Sequence, residues 1–276
     1  MQDNEIKLKS LREEIDEIDS KLIDLIDKRT QVVLSISSNK VSGSAIRTAR
    51  EAEVLRKILT KTPNNFPKKA IIRIWRELIS VYSQLQNSFS IGLCAPKYSV
   101  GYWDIARDYF GSASRIILYK SEKALLQKIS DEPSFIGVFP HPLSDQDSLW
   151  WKNIGVGSNS DTNIIARLPY GGKSEDQFEE LEAVAVASFP SEKSGKDRSW
   201  LIIEFSKQKS VDLLLMIIQR LGISGQLLSQ MREGEGVYLY LLDVEGFFNS
   251  DTQPFNNSLK KEEDFIGIRS IGSYSL

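Results

Sequence analysis

From residue 8 onward, apolar side chains recur in steps of four and three, at Leu11, Ile15, Ile18, Leu22, Leu25, Val33 and Ile36. That spacing predicts one helical face continuous for about 30 residues, roughly 45 Å at ~1.5 Å per residue. Two cations interrupt the seam where an apolar side chain is expected. Arg29 lies between Leu25 and Val33, and Lys40 takes the next step after Ile36. A charge facing a core is costly unless something anionic meets it. Either residue taken alone also fits a coiled-coil seam whose polar positions snorkel to water or set register.

The predicted first helix runs from about residue 4 to 39, followed by a turn over residues 41–44. A second helix starts near Thr48, carries Ala52, Val54, Leu55 and Ile58 and reaches about Leu59. The Pro- and Asn-rich residues 62–67 end it. A third runs from Pro67 or Lys68 to about Asn87, with Ile71, Ile74, Trp75, Leu78, Ile79 and Leu85 on its apolar face. Two short helices cannot cover the long one, so its leftover seam predicts a homodimer in which two long helices pair.

At Ser88 the pattern changes character. Residues 90–96 read as a buried strand entering a turn, 101–110 as a helix, 115–119 as a strand, 121–129 as a helix and 135–139 as a strand. That alternation predicts an α/β unit with a parallel sheet. Residues 143–160 and 171–180 read as loops, with further strands at 163–168 and 183–188. The last stretch reads strand 200–206, helix 211–221, strands 225–231 and 238–244, part of a helix at 258–263 and strand 265–271. This β-α-β-β-α-β order is the ferredoxin-like arrangement.

Composition narrows the chemistry. The net charge of −2 over 276 residues gives no basic field to attract nucleic acid or an anionic membrane. One cysteine, Cys94, and one histidine, His141, exclude an intrachain disulfide, a cysteine metal cluster and a two-histidine metal site. No apolar run reaches about 18 residues and the first nine residues are polar, so neither a membrane span nor a signal peptide is expected. A cytoplasmic chain is expected. Gly222, Gly225, Gly234 and Gly236 are spaced as turns, not as a dinucleotide fingerprint.

The polar residues then carry a resemblance. Leu11-Arg12, Ile18-Asp19, Leu22-Ile23, Leu25-Ile26, Lys28-Arg29, Lys40, Arg50-Glu51, Arg73, Trp75 to Ile79 and Leu85-Gln86 together resemble the all-helical chorismate mutase domain over roughly residues 8–88. Leu239 to Gly246 and Ile271 to Tyr274 resemble an ACT-type regulatory domain. Gly92-x-x-Ala95-Pro96, Ala106-x-x-Tyr109-Phe110-Gly111 and Gly137 to Pro140 are similar to the first lobe of prephenate dehydratase. The resemblance implies a multidomain chain. An all-α, dimeric helical domain (1–88) precedes a degenerate dehydratase-like α/β region (89–196) and an ACT-like unit (197–276).

Chorismate rearranges to prephenate by a pericyclic reaction, which requires no proton transfer, nucleophile, metal or cofactor. Such an enzyme holds a dianion in a compact conformer and stabilises charge growing on the ether oxygen. The resemblance implies Arg29 for one substrate carboxylate and Arg12, from the partner subunit, for the other. Lys40 and Gln86 would donate to the ether oxygen, Glu51 would accept from the ring hydroxyl, and Arg50 would help hold that end, with Arg47 in support. Arg29 and Lys40 stand about three helical turns apart, roughly 16 Å, a gap that long side chains close. Thr48 or Ala49 stands where many relatives carry aspartate, and Tyr82 where a small serine often sits. The dehydratase family's Thr-Arg-Phe is replaced by Arg198-Ser199-Trp200, and the usual ACT motifs by Val211-Asp212-Leu213 and Ser229 to Arg232. No ligand residues are therefore assigned there. A working mutase–dehydratase, with Ser199 standing in for threonine, and a non-catalytic sensor of aromatic metabolites remain the alternatives.

Overall fold

The seam folds as a single helix, α1 (Gln2–Asn39). The structure, a computed structural model, describes residues 2–39, 46–95, 101–143, 148–171, 181–234, 236–248 and 259–276. Lys40 and the turn expected at 41–44 lie outside the described residues. The C-terminal part of α1 packs on α3, with Val33 buried there. Leu11, Ile15, Ile18, Leu22 and Leu25 all stand exposed, Leu25 at 61%.

Helices α2 (Thr48–Lys61) and α3 (Lys68–Gln86) begin and end within two residues of the sequence expectation. Ala49, Ala52 and Leu55 on α2 and Ile79 on α3 form the buried faces. Leu55 is fully buried, a contribution of about 1.5–3 kcal/mol. Their packing does not stop at each other, because α3 also rests on the helix Gly101–Phe110 of the α/β region.

Among the described residues, nine strands form one sheet. Strands β1 (Ser90–Cys94), β2 (Ile116–Tyr119) and β3 (Phe135–Pro140) are parallel, with α4 (Gly101–Phe110) and α5 (Glu122–Asp131) as crossovers. Strand β5 (Ala183–Ala187) runs antiparallel to both β3 and β4 (Asn163–Leu168). The parallel arrangement expected of residues 90–139 is present in β1 to β3, and the antiparallel β5 makes the sheet as a whole mixed. Strand direction follows the connection, and the polar 169–182 stretch carries no helical pattern for a crossover. Within the expected loop at 143–160, Trp150–Asn153 and Gly157–Asn159 form short 3-10 turns. Trp150 and Trp151 plunge into the core there, which gives a Ser- and Asn-rich segment an anchor.

The C-terminal strands β6 (Asp197–Phe205), β7 (Gly225–Glu233), β8 (Val237–Glu245) and β9 (Phe265–Ser275) pair antiparallel in the order β9-β6-β8-β7. Helix α6 (Val211–Arg220) covers one face, its first turn capped by Ser210 Oγ accepting from the Leu213 amide at 3.3 Å. This is the ferredoxin-like order, with β6 starting three residues earlier and β9 ending four residues later than the pattern indicated. Of the second helix expected at 258–263, residue 258 lies outside the described residues; Leu259 is helical and buried, and turns follow it.

The two halves of the sheet meet at one register pair, Ile164 on β4 and Gly272 on β9. Gly272 has φ +129°, and a Cβ there would lie 2.3 Å from the Ile164 backbone N and O. Only glycine lets the strands approach this closely.

Candidate active site

Arg29 lies where α1 crosses α3. Its guanidinium carbon sits 4.4 Å from the centroid of the Tyr82 ring, within cation–π range. The Tyr82 hydroxyl in turn donates to the Ile26 carbonyl at 3.1 Å, one turn back on α1. The phenol thus ties the two helices and provides a flat seat for the cation. Arg29 Nη1 is buried and has no hydrogen-bond partner among the described residues. A desolvated guanidinium N–H is an expensive group to leave unmet, and a carboxylate is its natural complement. Gln86 stands half-buried at the C-terminal end of α3, one turn beyond Tyr82 on the same side.

Glu51 occupies the first turn of α2, where the helix dipole favours an anion. It is buried, and its Oε2 accepts from Arg76 Nη1 of α3 at 2.7 Å. Arg76 is only 2% exposed. Its guanidinium carbon lies 3.7 Å from the Tyr109 ring centroid and 5.2 Å from that of Tyr170. Burial works against the Arg76 cation, yet Tyr109 and Glu51 outweigh it and raise its pKa. A cavity of about 10 Å3 adjoins Glu51, Arg76, Ser83 and Tyr109, room for one water at most and far too small for a substrate.

Burial in this cluster pushes the Tyr109 phenol up to about 12, against the opposing pull of Arg76. Below pH 10 both folded and unfolded chains keep that proton. Between about pH 10 and 12 the unfolded chain releases it and the folded one does not, so stability falls as pH rises. The loss from Tyr109 is expected to reach about 2–3 kcal/mol by pH 12. Urea unfolding at pH 9, 10.5 and 12 checks it, and Tyr109→Phe should flatten the slope by that amount. An unchanged slope in Tyr109→Phe would contradict it.

The remaining expected residues are placed differently. Arg12 lies on the exposed N-terminal part of α1, away from both clusters. Arg50 points outward and pairs with Glu53 at 2.9 Å, one turn along α2. Arg47 is exposed and pairs with Glu192 at 2.9 Å, a tie to the α/β region. Lys40 lies outside the described residues. The structure thus brings Arg29 and Gln86 to one side of α3 and Glu51 to another. Arg76 and Tyr109 were not singled out from sequence as site residues. The Arg73/Arg76 spacing looks like an ordinary solvated face, and the residue that buries Arg76 comes from another element.

The α/β region holds its own polar cluster at the junction of the sheet halves. Asp243, fully buried on β8, accepts from Arg198 Nε at 2.8 Å and from the Tyr274 hydroxyl at 2.9 Å. Arg167 Nη2 donates to buried Glu182 at 2.6 Å, and its Nη1 donates to the Tyr274 oxygen at 3.3 Å. Two cations and two carboxylates balance. Burial and the Asp243 charge push the Tyr274 phenol upward. Ser199 is fully buried beside this cluster. Its oxygen lies 2.8 Å from the Gly246 carbonyl, accepts from the Phe248 amide at 2.8 Å, and shares a 2.7 Å bond with Ser273. That hydroxyl is spent on structure. Among the described residues no group of three acidic, histidine or cysteine side chains is placed to hold a metal ion, and no helix is long and apolar enough to cross a membrane.

Comparison with known proteins places these features. Residues 11–87 match the family chorismate mutase type II. The chain is 26% identical over 140 residues to a bifunctional chorismate mutase/prephenate dehydratase of Aquifex aeolicus, covering 49% of this chain and 38% of that protein. It is 29% identical over 86 residues to the enzyme of the same description from Neisseria gonorrhoeae, covering 31% and 24%. The matches therefore span well under half of either relative's length. Among solved structures, prephenate dehydratase from Streptococcus mutans overlaps with a TM-score of 0.47 at 13% identity, covering 67% of this chain and 97% of that one. An overlap at that level carries no functional weight. The helices, the family match and the two curated relatives converge on one statement: the N-terminal segment of this chain is a chorismate mutase type II domain, followed by an α/β region.

Proposed function

We propose that the helical domain converts chorismate to prephenate, in aromatic amino-acid biosynthesis in the cytoplasm. The observation that carries this reading is Arg29, half-buried against the Tyr82 ring, whose buried Nη1 has no hydrogen-bond partner among the described residues and is suited to a carboxylate. Arg29 holds one substrate carboxylate and Lys40 and Gln86 donate to the ether oxygen as its bond breaks. Glu51 accepts from the ring hydroxyl, and Arg50 supports that end after leaving Glu53. Such groups act by orienting the substrate and by presenting fixed charge where charge develops, so the reaction needs no cofactor.

The exposed seam of α1 supports a homodimer in which each long helix lies along its partner and delivers Arg12 to the partner's site. The third domain, from residue 197, is read as ACT-like on its strand order. Subunit complementation tests the shared site. Arg12→Ala and Arg29→Ala chains should each be nearly inactive, and mixing them should restore about one intact site per heterodimer. No recovery despite demonstrated subunit exchange would remove Arg12 from the partner's site.

The description of both curated relatives favours a second reading, in which the α/β region also dehydrates prephenate. The burial of Ser199 and its three hydrogen-bonding neighbours weigh against it, since that hydroxyl has no access to a substrate.

A further inference from the structure

The Glu51–Arg76 pair is held from outside the helical domain. Tyr109 belongs to α4 of the α/β region and lies flat enough against Arg76 to bring the guanidinium carbon within 3.7 Å of its centroid. Tyr170, just after β4, donates its hydroxyl to the carbonyl of Ala52, the residue following Glu51, at 3.3 Å. Arg76 Nε and Nη2 are buried without hydrogen-bond partners among the described residues. The guanidinium is therefore held against the tyrosine ring by that face contact. The same contact steadies the direction in which Nη1 meets Glu51. Oε2 accepts from Arg76, and the carboxylate keeps lone pairs for a further donor.

We propose that Arg76 is a positioning residue for Glu51, and that Tyr109 and Tyr170 hold the pair in place, so that turnover in the helical domain depends on the α/β region. The proposal rests on the reading of Glu51 as the acceptor for the substrate's ring hydroxyl. A carboxylate whose partner can swing away loses the fixed direction on which orientation depends, although no group in contact with substrate has changed.

The test is a double-mutant cycle on kcat/KM with the full chain, each variant assayed well below its measured Tm. Tyr109→Leu fills the space but removes the ring face and is expected to lower kcat/KM about tenfold. Tyr109→Phe, which restores the ring, should recover most of that loss. In a Glu51→Gln background, Tyr109→Leu should cost less than about twofold, because the carboxylate through which it acts is gone. Arg76→Lys keeps the charge and loses the planar fork, and it should show the same dependence on Glu51. Equal losses in both backgrounds, or no loss from Tyr109→Leu, would overturn the coupling while leaving the proposed reaction intact. A wild-type chain without chorismate turnover would overturn both.

Discussion

Lys40→Ala is expected to lower chorismate turnover at least 100-fold in a chain that still folds. The lysine occupies a seam step where packing alone would select an apolar side chain, and the chorismate mutase match spans it. A donor aimed at an oxygen that gains charge only as the bond breaks acts on the transition state and not on the bound substrate. Removing one such donor costs about 3 kcal/mol, or about 100-fold in rate. Loss should therefore fall on kcat, with circular dichroism and Tm close to wild type, because a seam lysine contributes little packing. Gln86→Ala should lose less, since a neutral amide presents a weaker field. Wild-type kcat in folded Lys40→Ala would remove Lys40 from the site.

The second large effect concerns stability. Arg76→Ala is expected to cost about 3–5 kcal/mol, because it leaves the Glu51 carboxylate buried without its partner. It also strips Tyr109 of the cation that covers its ring. Replacing both charges at once, as in Glu51→Leu with Arg76→Met, should recover most of that loss, since two apolar side chains leave no charge to solvate. Activity should not recover with stability, because Glu51 is gone. By contrast, Arg50→Ala removes only an exposed pair with Glu53 and should change stability by less than about 0.5 kcal/mol. Urea unfolding of the four chains separates these cases. A loss below about 1 kcal/mol in Arg76→Ala would mean that Glu51 is solvated or neutral in the folded chain.

Much of this architecture was legible before the fold was known. Steps of three and four marked α1 to α3 nearly to the residue, because a helix that buries a face must repeat its apolar positions with its own period. Continuous apolar runs at 90–94 and 135–139 marked strands buried on both faces. The alternation with helices also marked β1 to β3 as parallel, whereas the directions of β4 and β5 were not legible, because their composition is the same whichever way they run. The helical pattern of the sequence stops near residue 88. The surface of the helical domain nonetheless carries ties that cross that point. Glu77 accepts from the Ser112 amide, with Oε2 at 2.9 Å, and from the Ser112 hydroxyl at 2.6 Å. Gln84 Nε2 donates to the Phe89 carbonyl at 3.1 Å, and Arg56 Nη2 to the Ser194 carbonyl at 2.8 Å.

The candidate site divides in the same way. Arg29 could be picked out because a cation in an apolar seam violates a local rule. Arg76 violates none: it sits one turn from Arg73 on a helix with other charges, and the arrival of α2, α4 and Tyr170 turns a surface arginine into a buried one. Tyr82 was visible as a departure from the family pattern, but its use as the seat of Arg29 depends on how α1 and α3 cross.

The central claim is that the helical domain rearranges chorismate and that the α/β region does not carry the product further. Purified full-length chain incubated with chorismate, with prephenate and phenylpyruvate followed together, tests it most directly. The account predicts that chorismate is consumed, that prephenate appears in equal amount, and that phenylpyruvate stays at the level of a protein-free control. Chorismate unchanged relative to that control, or phenylpyruvate rising with enzyme concentration, would contradict it.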